Sequence, residues 1–124
     1  MTRIALVDDQ TLLRKGIRGL LDLTEDLRVV AEAADGDEAL AVIAEAAPDV
    51  VLLDVRMPKR SGIDVLRALK AADRLPPAIL LTTFDDDAAL LEGIRAGARG
   101  FLLKDVSFED LTQGIRQVAA GGTL

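Results

Sequence analysis

Two apolar runs end in carboxylates. Asp8 and Asp9 follow Ile4-Ala5-Leu6-Val7, and Asp54 closes Val50-Val51-Leu52-Leu53 ahead of Val55-Arg56-Met57-Pro58. Apolar runs of this length read as buried strands, and a proline keeps the second from continuing. A carboxylate at the carboxyl end of such a strand sits where open α/β sheets keep their ligand sites. Two further strand ends carry polar groups, Thr82 after Ala78–Leu81 and Lys104 after Arg99–Leu103. The chain has no His and no Cys. Covalent chemistry must therefore use carboxylate, hydroxyl or amine.

The elements that would position these groups alternate strand and helix. Arg3–Val7 predicts a first buried strand, and Gln10–Leu23 a helix with Leu13, Ile17, Leu20 and Leu21 at helical spacing. Arg28–Ala33 is a second strand. After the Asp35-Gly36 turn, a helix to Ala47 has Ala39, Leu40, Ile43 and Ala47 on one face. Val50–Leu53 is the third strand, and Ser61 caps a helix through Ala72 with Ile63, Leu66 and Leu69 inward. Pro76-Pro77 precedes the strand Ala78–Leu81, Asp85–Ala96 is a helix, and Gly97 suits its C-terminal cap. After the strand Arg99–Leu103, Ser107-Phe108-Glu109-Asp110 resembles a capping box for a helix to Ala119 or Ala120 carrying Leu111, Ile115, Val118 and Ala119. Five such units predict an α/β fold, a doubly wound parallel sheet with helices on both faces. The flavodoxin-like order 2-1-3-4-5 makes the first and third strands neighbours at the switch point. Asp8, Asp9 and Asp54 then converge on one crevice.

Composition narrows the function. At 124 residues the chain is one domain. A net charge of −6 argues against this domain gripping nucleic acid. Three Phe, with no Trp or Tyr, leave base or flavin stacking poorly supplied. The N-terminus shows no signal-peptide core, and the longest apolar candidate, Ala39 to Leu53, is broken by Glu45, Pro48 and Asp49. No membrane span and a cytoplasmic location are expected. Gly121-Gly122 reads as the start of a linker, making this the first domain of something longer. Arg3, Arg14, Lys15 and Arg18 read as a strand start and a solvated helix face. Asp85-Asp86-Asp87 reads as charge favouring a helix N-terminus.

The strand-end set Leu6-Val7-Asp8-Asp9, Leu53-Asp54-Val55-Arg56-Met57-Pro58 with Gly62, Leu81-Thr82-Thr83-Phe84, and Gly97 to Asp105 resembles the receiver domain of bacterial two-component response regulators. Phe101-Leu102-Leu103-Lys104-Asp105 looks most like the NarL/FixJ subfamily. The resemblance covers the whole chain, residues 1–124. It implies a C-terminal DNA-binding domain in the parent protein, absent from this chain. It also implies that Asp54 accepts a phosphoryl group from a sensor histidine kinase. Asp8, Asp9, Asp54 and the backbone carbonyl of Arg56 would hold Mg²⁺, with Asp8 acting mainly through a metal-bound water. Thr82 and Lys104 would bind phosphoryl oxygens, and Phe101 would follow Thr82 as the switch. Arg56 and Phe84 would flank the hydrolytic water and slow loss of the phosphoryl group. A phosphorylation-dependent homodimer is expected, with Gly19 and Gly114 on the dimer face, since glycine inside a helix costs about 1 kcal/mol against Ala.

Charge explains why such a site needs cations. Two carboxylates about 4 Å apart repel by roughly 4 kcal/mol at an effective dielectric of about 20. That is on the order of three pK units. Three such groups stay ionised only beside cations. Each residue also has a plainer role: Asp9 as a helix cap, Thr82 as a β-branched strand residue, Lys104 as a solvated lysine. Their joint placement at strand ends outweighs these. The chain departs from the common receiver pattern at Phe101, where Tyr is frequent, and at Asp105, where proline is. A haloacid-dehalogenase-like phosphatase needs an Asp two residues beyond the nucleophile, but Gln10 stands two after Asp8 and Met57-Pro58 crowds Asp54. A flavodoxin-like flavin carrier needs a hydroxyl-rich loop where Asp8-Asp9-Gln10 stands. A pseudo-receiver would lack one of the five key positions, and all are filled.

Overall fold

The computed structural model describes residues 1–83 and 86–124. Its elements run β1 (Thr2–Val7), α1 (Thr11–Asp22), β2 (Leu27–Ala33), α2 (Gly36–Ala46), β3 (Val50–Asp54), α3 (Gly62–Ala71), β4 (Ala78–Thr82), α4 (Asp87–Arg95), β5 (Gly100–Leu103) and α5 (Phe108–Ala119). Five parallel strands pair in the order β2-β1-β3-β4-β5. This is the doubly wound arrangement that the alternating pattern predicts. Asp85, the expected start of the fourth helix, lies outside the described residues, and α4 starts at Asp87.

Strand side chains alternate between two cores because the β period is two. Ala5, Val7, Val51, Leu53, Ala78 and Leu80 join one core with α2, α3 and α4. Ile4, Leu6, Val50, Leu52, Ile79 and Leu81 join the other, under α1 and α5. Every residue of β3 and β4 is buried. Polar groups at their carboxyl ends are therefore fixed to a rigid base.

The helix starts follow the capping residues. The Ser61 hydroxyl accepts from the Asp64 amide, and the Asp64 side chain accepts from the Ser61 amide, a complete capping box. At α5 the Ser107 hydroxyl accepts from the Asp110 amide. Gly97 has φ +103° after α4, the left-handed conformation expected of a helix C-terminus.

Three helix faces differ from expectation, the first at Ala47, which is exposed in a left-handed conformation past the end of α2. On α1, Leu21 is buried, but Leu20 is exposed and Arg14 takes a sheet-facing place. Arg14, Ile17 and Leu21 fall three and four residues apart, on one helical row. On α5, Leu111, Ile115 and Val118 are buried while Ala119 is exposed. Gly114, expected on an outward face, is buried: a Cβ there would lie 3.0 Å from Leu124 Cδ1 and 3.4 Å from Leu102 Cδ1. It lets the C-terminal segment close over α5 and β5. Gly19, by contrast, is exposed with nothing within 4 Å.

Gly62 matters most to the site. A Cβ there would stand 2.3 Å from the carbonyl oxygen of Asp54, and its amide donates to Val55 O at 2.8 Å. Any side chain would push α3 away from the end of β3. Gly62→Ala is expected to destabilise the fold by about 2 kcal/mol. Gly16→Ala, at a helical position open to space, is expected to stabilise it by about 0.5–1 kcal/mol. Urea denaturation of the two variants checks the opposite signs.

Candidate functional site

Adjacent strands bring the acidic residues together. Val7 pairs with Leu53 across β1 and β3, so Asp8 and Asp54 leave the sheet edge side by side. Asp8 and Asp54 are buried, while Asp9 is exposed. The three offer carboxylate oxygens all within 4.8 Å of one another. Lys104 follows β5, its amide bonded to Thr82 O at 2.9 Å. Its side chain reaches back, placing Nζ 3.0 Å from Asp54 Oδ2 and 3.5 Å from Asp8 Oδ2. The ammonium also donates to Gln10 Oε1 at 2.8 Å. Gln10 was not expected here, and only its closeness to Asp8-Asp9 in sequence hints at it.

Backbone amides orient the two buried carboxylates. Asp8 Oδ1 accepts from the Gln10 amide at 2.8 Å, and Asp54 Oδ1 from the Arg56 amide at 3.3 Å. Each amide lies two residues beyond its Asp, the geometry of an Asx turn. The second oxygens, Asp8 Oδ2 and Asp54 Oδ2, are buried and have no hydrogen-bond partner among the described residues. The Lys104 ammonium meets them as an ion pair without hydrogen-bond alignment. Two orphaned buried acceptors are costly, and one ammonium faces three carboxylates. The donor set is all oxygen and carries two charges in excess, which fits a hard divalent cation.

Burial pushes the Asp54 carboxyl up to about 6, with the Lys104 ammonium opposing and the Asp8 charge adding to the rise. Ionised Asp54 is thus held at a cost, in a place where only added positive charge relieves it.

Other expected residues fall around this corner. Thr82 ends β4 and is buried. It lines a cleft of about 160 Å³ with Thr83, Asp86 and Phe101. Phe101 is half-buried, and its ring lies against α4 where Gly93 stands; a Cβ at Gly93 would be 2.9 Å from Phe101 Cζ. Gly93, a glycine inside a helix, is the sequence mark of this close approach. The Arg56 side chain is exposed and pairs with Asp86 Oδ1 at 3.0 Å. Asp86, expected only to favour the helix start, thus holds Arg56. Phe84, the other residue expected to govern hydrolysis, lies outside the described residues. The Lys104-Asp105 peptide is trans.

A parallel 2-1-3-4-5 sheet with an acidic cluster and a lysine at its carboxyl edge defines the flavodoxin-like receiver class. The family model described as the response regulator receiver domain matches residues 4–116, and the chain belongs to that family. It is 44% identical over 119 residues to the uncharacterized transcriptional regulatory protein YxjL of Bacillus subtilis (strain 168), covering 96% of this chain and 55% of that protein. It is 39% identical to the DNA-binding transcriptional activator DevR/DosR of Mycobacterium tuberculosis, covering 100% of this chain and 57% of the relative. The signal receiver domain of the putative response regulator NarL from Mycobacterium tuberculosis superposes with a TM-score of 0.92 at 35% identity, covering 97% of each chain. The domain is thus a two-component receiver of the NarL/FixJ type. The chain spans a little more than half the length of the curated relatives it matches. Among the described residues, no helix is long and apolar enough to cross a membrane.

The raised Asp54 carboxyl gives a pH prediction. The folded state holds this proton up to about pH 6, whereas the unfolded chain releases it near 3.8. The folded state therefore binds more protons between these values, and stability falls as pH rises through that window. In divalent-free buffer Asp54→Asn is expected to exceed the parent in stability at pH 7 by on the order of 3 kcal/mol. The gap should close as pH drops below about 4. Urea midpoints of both proteins across pH 3.5 to 8 check it.

Proposed function

We propose that Asp54 is the phosphoryl acceptor and that the domain is switched by a phosphohistidine donor, a sensor histidine kinase. The observation that carries this reading is the pair of buried, unpartnered oxygens on Asp8 and Asp54, with the Lys104 ammonium 3.0 Å from Asp54 Oδ2. The chain holds no His, so the donor imidazole lies outside this domain. An Asp54 oxygen attacks phosphorus, an acyl phosphate bond forms, and the bond to the donor nitrogen breaks. The electron pair stays with the imidazole. Asp8, Asp9, Asp54 and the Arg56 carbonyl would hold Mg²⁺. When bound, such an ion would offset the charge gathered by carboxylates and phosphoryl oxygens.

This chain's own groups do the rest. Lys104 passes from the Asp54 carboxylate to a phosphoryl oxygen, and the Thr82 hydroxyl donates to another. The cleft beside Thr82 gives Phe101 room to follow without a hydroxyl of its own. The state that pairs with a second copy then becomes more populated. Gly19 remains on that dimer face, with exposed Leu12 and Leu20 on the same helix, while buried Gly114 leaves it. Arg56, held by Asp86, stands near the acceptor and slows loss of the phosphoryl group. The parent protein, of the relatives' length, would carry a DNA-binding output domain and act in the cytoplasm.

Acetyl phosphate with Mg²⁺ is expected to add one phosphoryl mass to the chain. Asp54→Asn should abolish the adduct and Asp9→Ala should nearly do so, read by intact mass. A full adduct on the Asn variant overturns the assignment. The adduct should decay over minutes to hours at neutral pH, and a half-life of seconds overturns the slow-hydrolysis reading. Beryllofluoride should shift the chain from monomer toward dimer in sedimentation, and Gly19→Arg should weaken the shift while Gly114→Ala should not act through the interface.

A further inference from the structure

Arg14 was expected on a solvated face, yet it is only 9% exposed. A buried guanidinium keeps its charge only where acceptors surround it. Its Nε donates to Glu32 Oε1 at 3.0 Å, and its Nη1 donates to the backbone carbonyl of Asp8 at 2.7 Å. Glu32 lies on β2, opposite Leu6 of β1. Lys15 Nζ also reaches Glu32 Oε2 at 3.1 Å, and Arg18 pairs with the same oxygen. Burial pushes the Glu32 carboxyl up, but the hydrogen bonds from Arg18, Lys15 and Arg14 outweigh it and hold it below the usual range. Glu32 is therefore a fixed anionic anchor, and Arg14 bridges it to the loop after β1.

We propose that Arg14 is a positioning residue that sets the Asp8-Asp9 peptide, and through it the carboxylates that hold the divalent cation. The inference rests on the phosphoacceptor reading above. Asp8 has no freedom left except at one oxygen. Its amide donates to Ala33 O at 3.1 Å, its carbonyl accepts from Arg14, and its Oδ1 accepts from the Gln10 amide. The carbonyl bond fixes the plane of the peptide that joins Asp8 to Asp9. That plane decides where the chain leaves β1, and so where the exposed Asp9 carboxylate stands relative to Asp8 and Asp54. Without the guanidinium, the Asp8 carbonyl loses its partner and the peptide is free to turn. A lysine has no planar fork and cannot bridge Glu32 and the carbonyl in the same way.

The test reads Mg²⁺ affinity by amide chemical-shift titration of the full chain, because no Trp or Tyr is present to report by fluorescence. Arg14→Met should weaken Mg²⁺ binding about tenfold, as expected when a group orienting a metal ligand is lost. Arg14→Lys should fall between Met and the parent. Arg116→Met removes a bidentate surface pair with Asp26 and should leave Mg²⁺ affinity unchanged. At saturating Mg²⁺ the rate of adduct formation from acetyl phosphate by Arg14→Met should recover most of its loss. Should Arg14→Met fail to fold, Glu32→Ala, which frees the guanidinium from its anchor, should weaken Mg²⁺ in the same direction. Unchanged Mg²⁺ affinity in a folded Arg14→Met or Glu32→Ala protein, whatever its melting temperature, overturns the positioning role alone. A Lys variant equal to the parent overturns it too, leaving only charge. A parent chain that takes up neither Mg²⁺ nor a phosphoryl group overturns the function reading and this inference with it.

Discussion

Like charges crowded at the carboxyl edge of the sheet are the constraint on which this structure depends. Asp8, Asp9 and Asp54 place carboxylate oxygens within 4.8 Å of one another, and two of the three residues are buried. Carboxylates so placed repel by several kcal/mol in a partly dry setting. The Lys104 ammonium answers part of that repulsion. Burial, with the Asp8 charge adding to it, still holds the Asp54 carboxyl above its usual range despite the lysine. A site that is uncomfortable when empty of cations is a site that charge can switch.

The fold serves this corner by denying it freedom. Fully buried β3 and β4 fix the carboxyl ends of the strands. Gly62 brings α3 against the Asp54 carbonyl, and the capping box at Ser61 and Asp64 starts that helix without slack. Amides two residues on hold one oxygen of each buried Asp, so the other faces the crevice. Lys104 arrives from the far strand across β4. The corner is therefore assembled from β1, β3, β4 and β5, and a displacement at one strand end is felt at the others.

The surroundings show where movement has room. Phe101 rests on Gly93 beside a small cleft that Thr82 also lines. Arg56, in the loop after β3, forms an exposed ion pair with Asp86. On the other flank Arg14 and Glu32 are buried, charged and tightly paired, a rigid buttress rather than a moving part. One side of the acidic corner is braced by a buried ion-pair network, and the other is bounded by a small cleft and an exposed ion pair.

Strand-end chemistry and the doubly wound order were legible in the chain, because a period of two, turn residues and apolar run lengths are local properties. Asp8, Asp54, Thr82 and Lys104 stood out because polar groups at the ends of buried runs are rare. Arg14 did not, because an arginine on an amphipathic helix reads as solvated until the strand beside it supplies Glu32 and a free carbonyl. Gly114 is ambiguous for the same reason: a helix-interior glycine signals a close approach, but only the returning C-terminal segment shows that the approach is inward. Which face a helix turns to the sheet, and which segment returns to cover it, are properties of the whole chain's packing, and tertiary structure alone settled them.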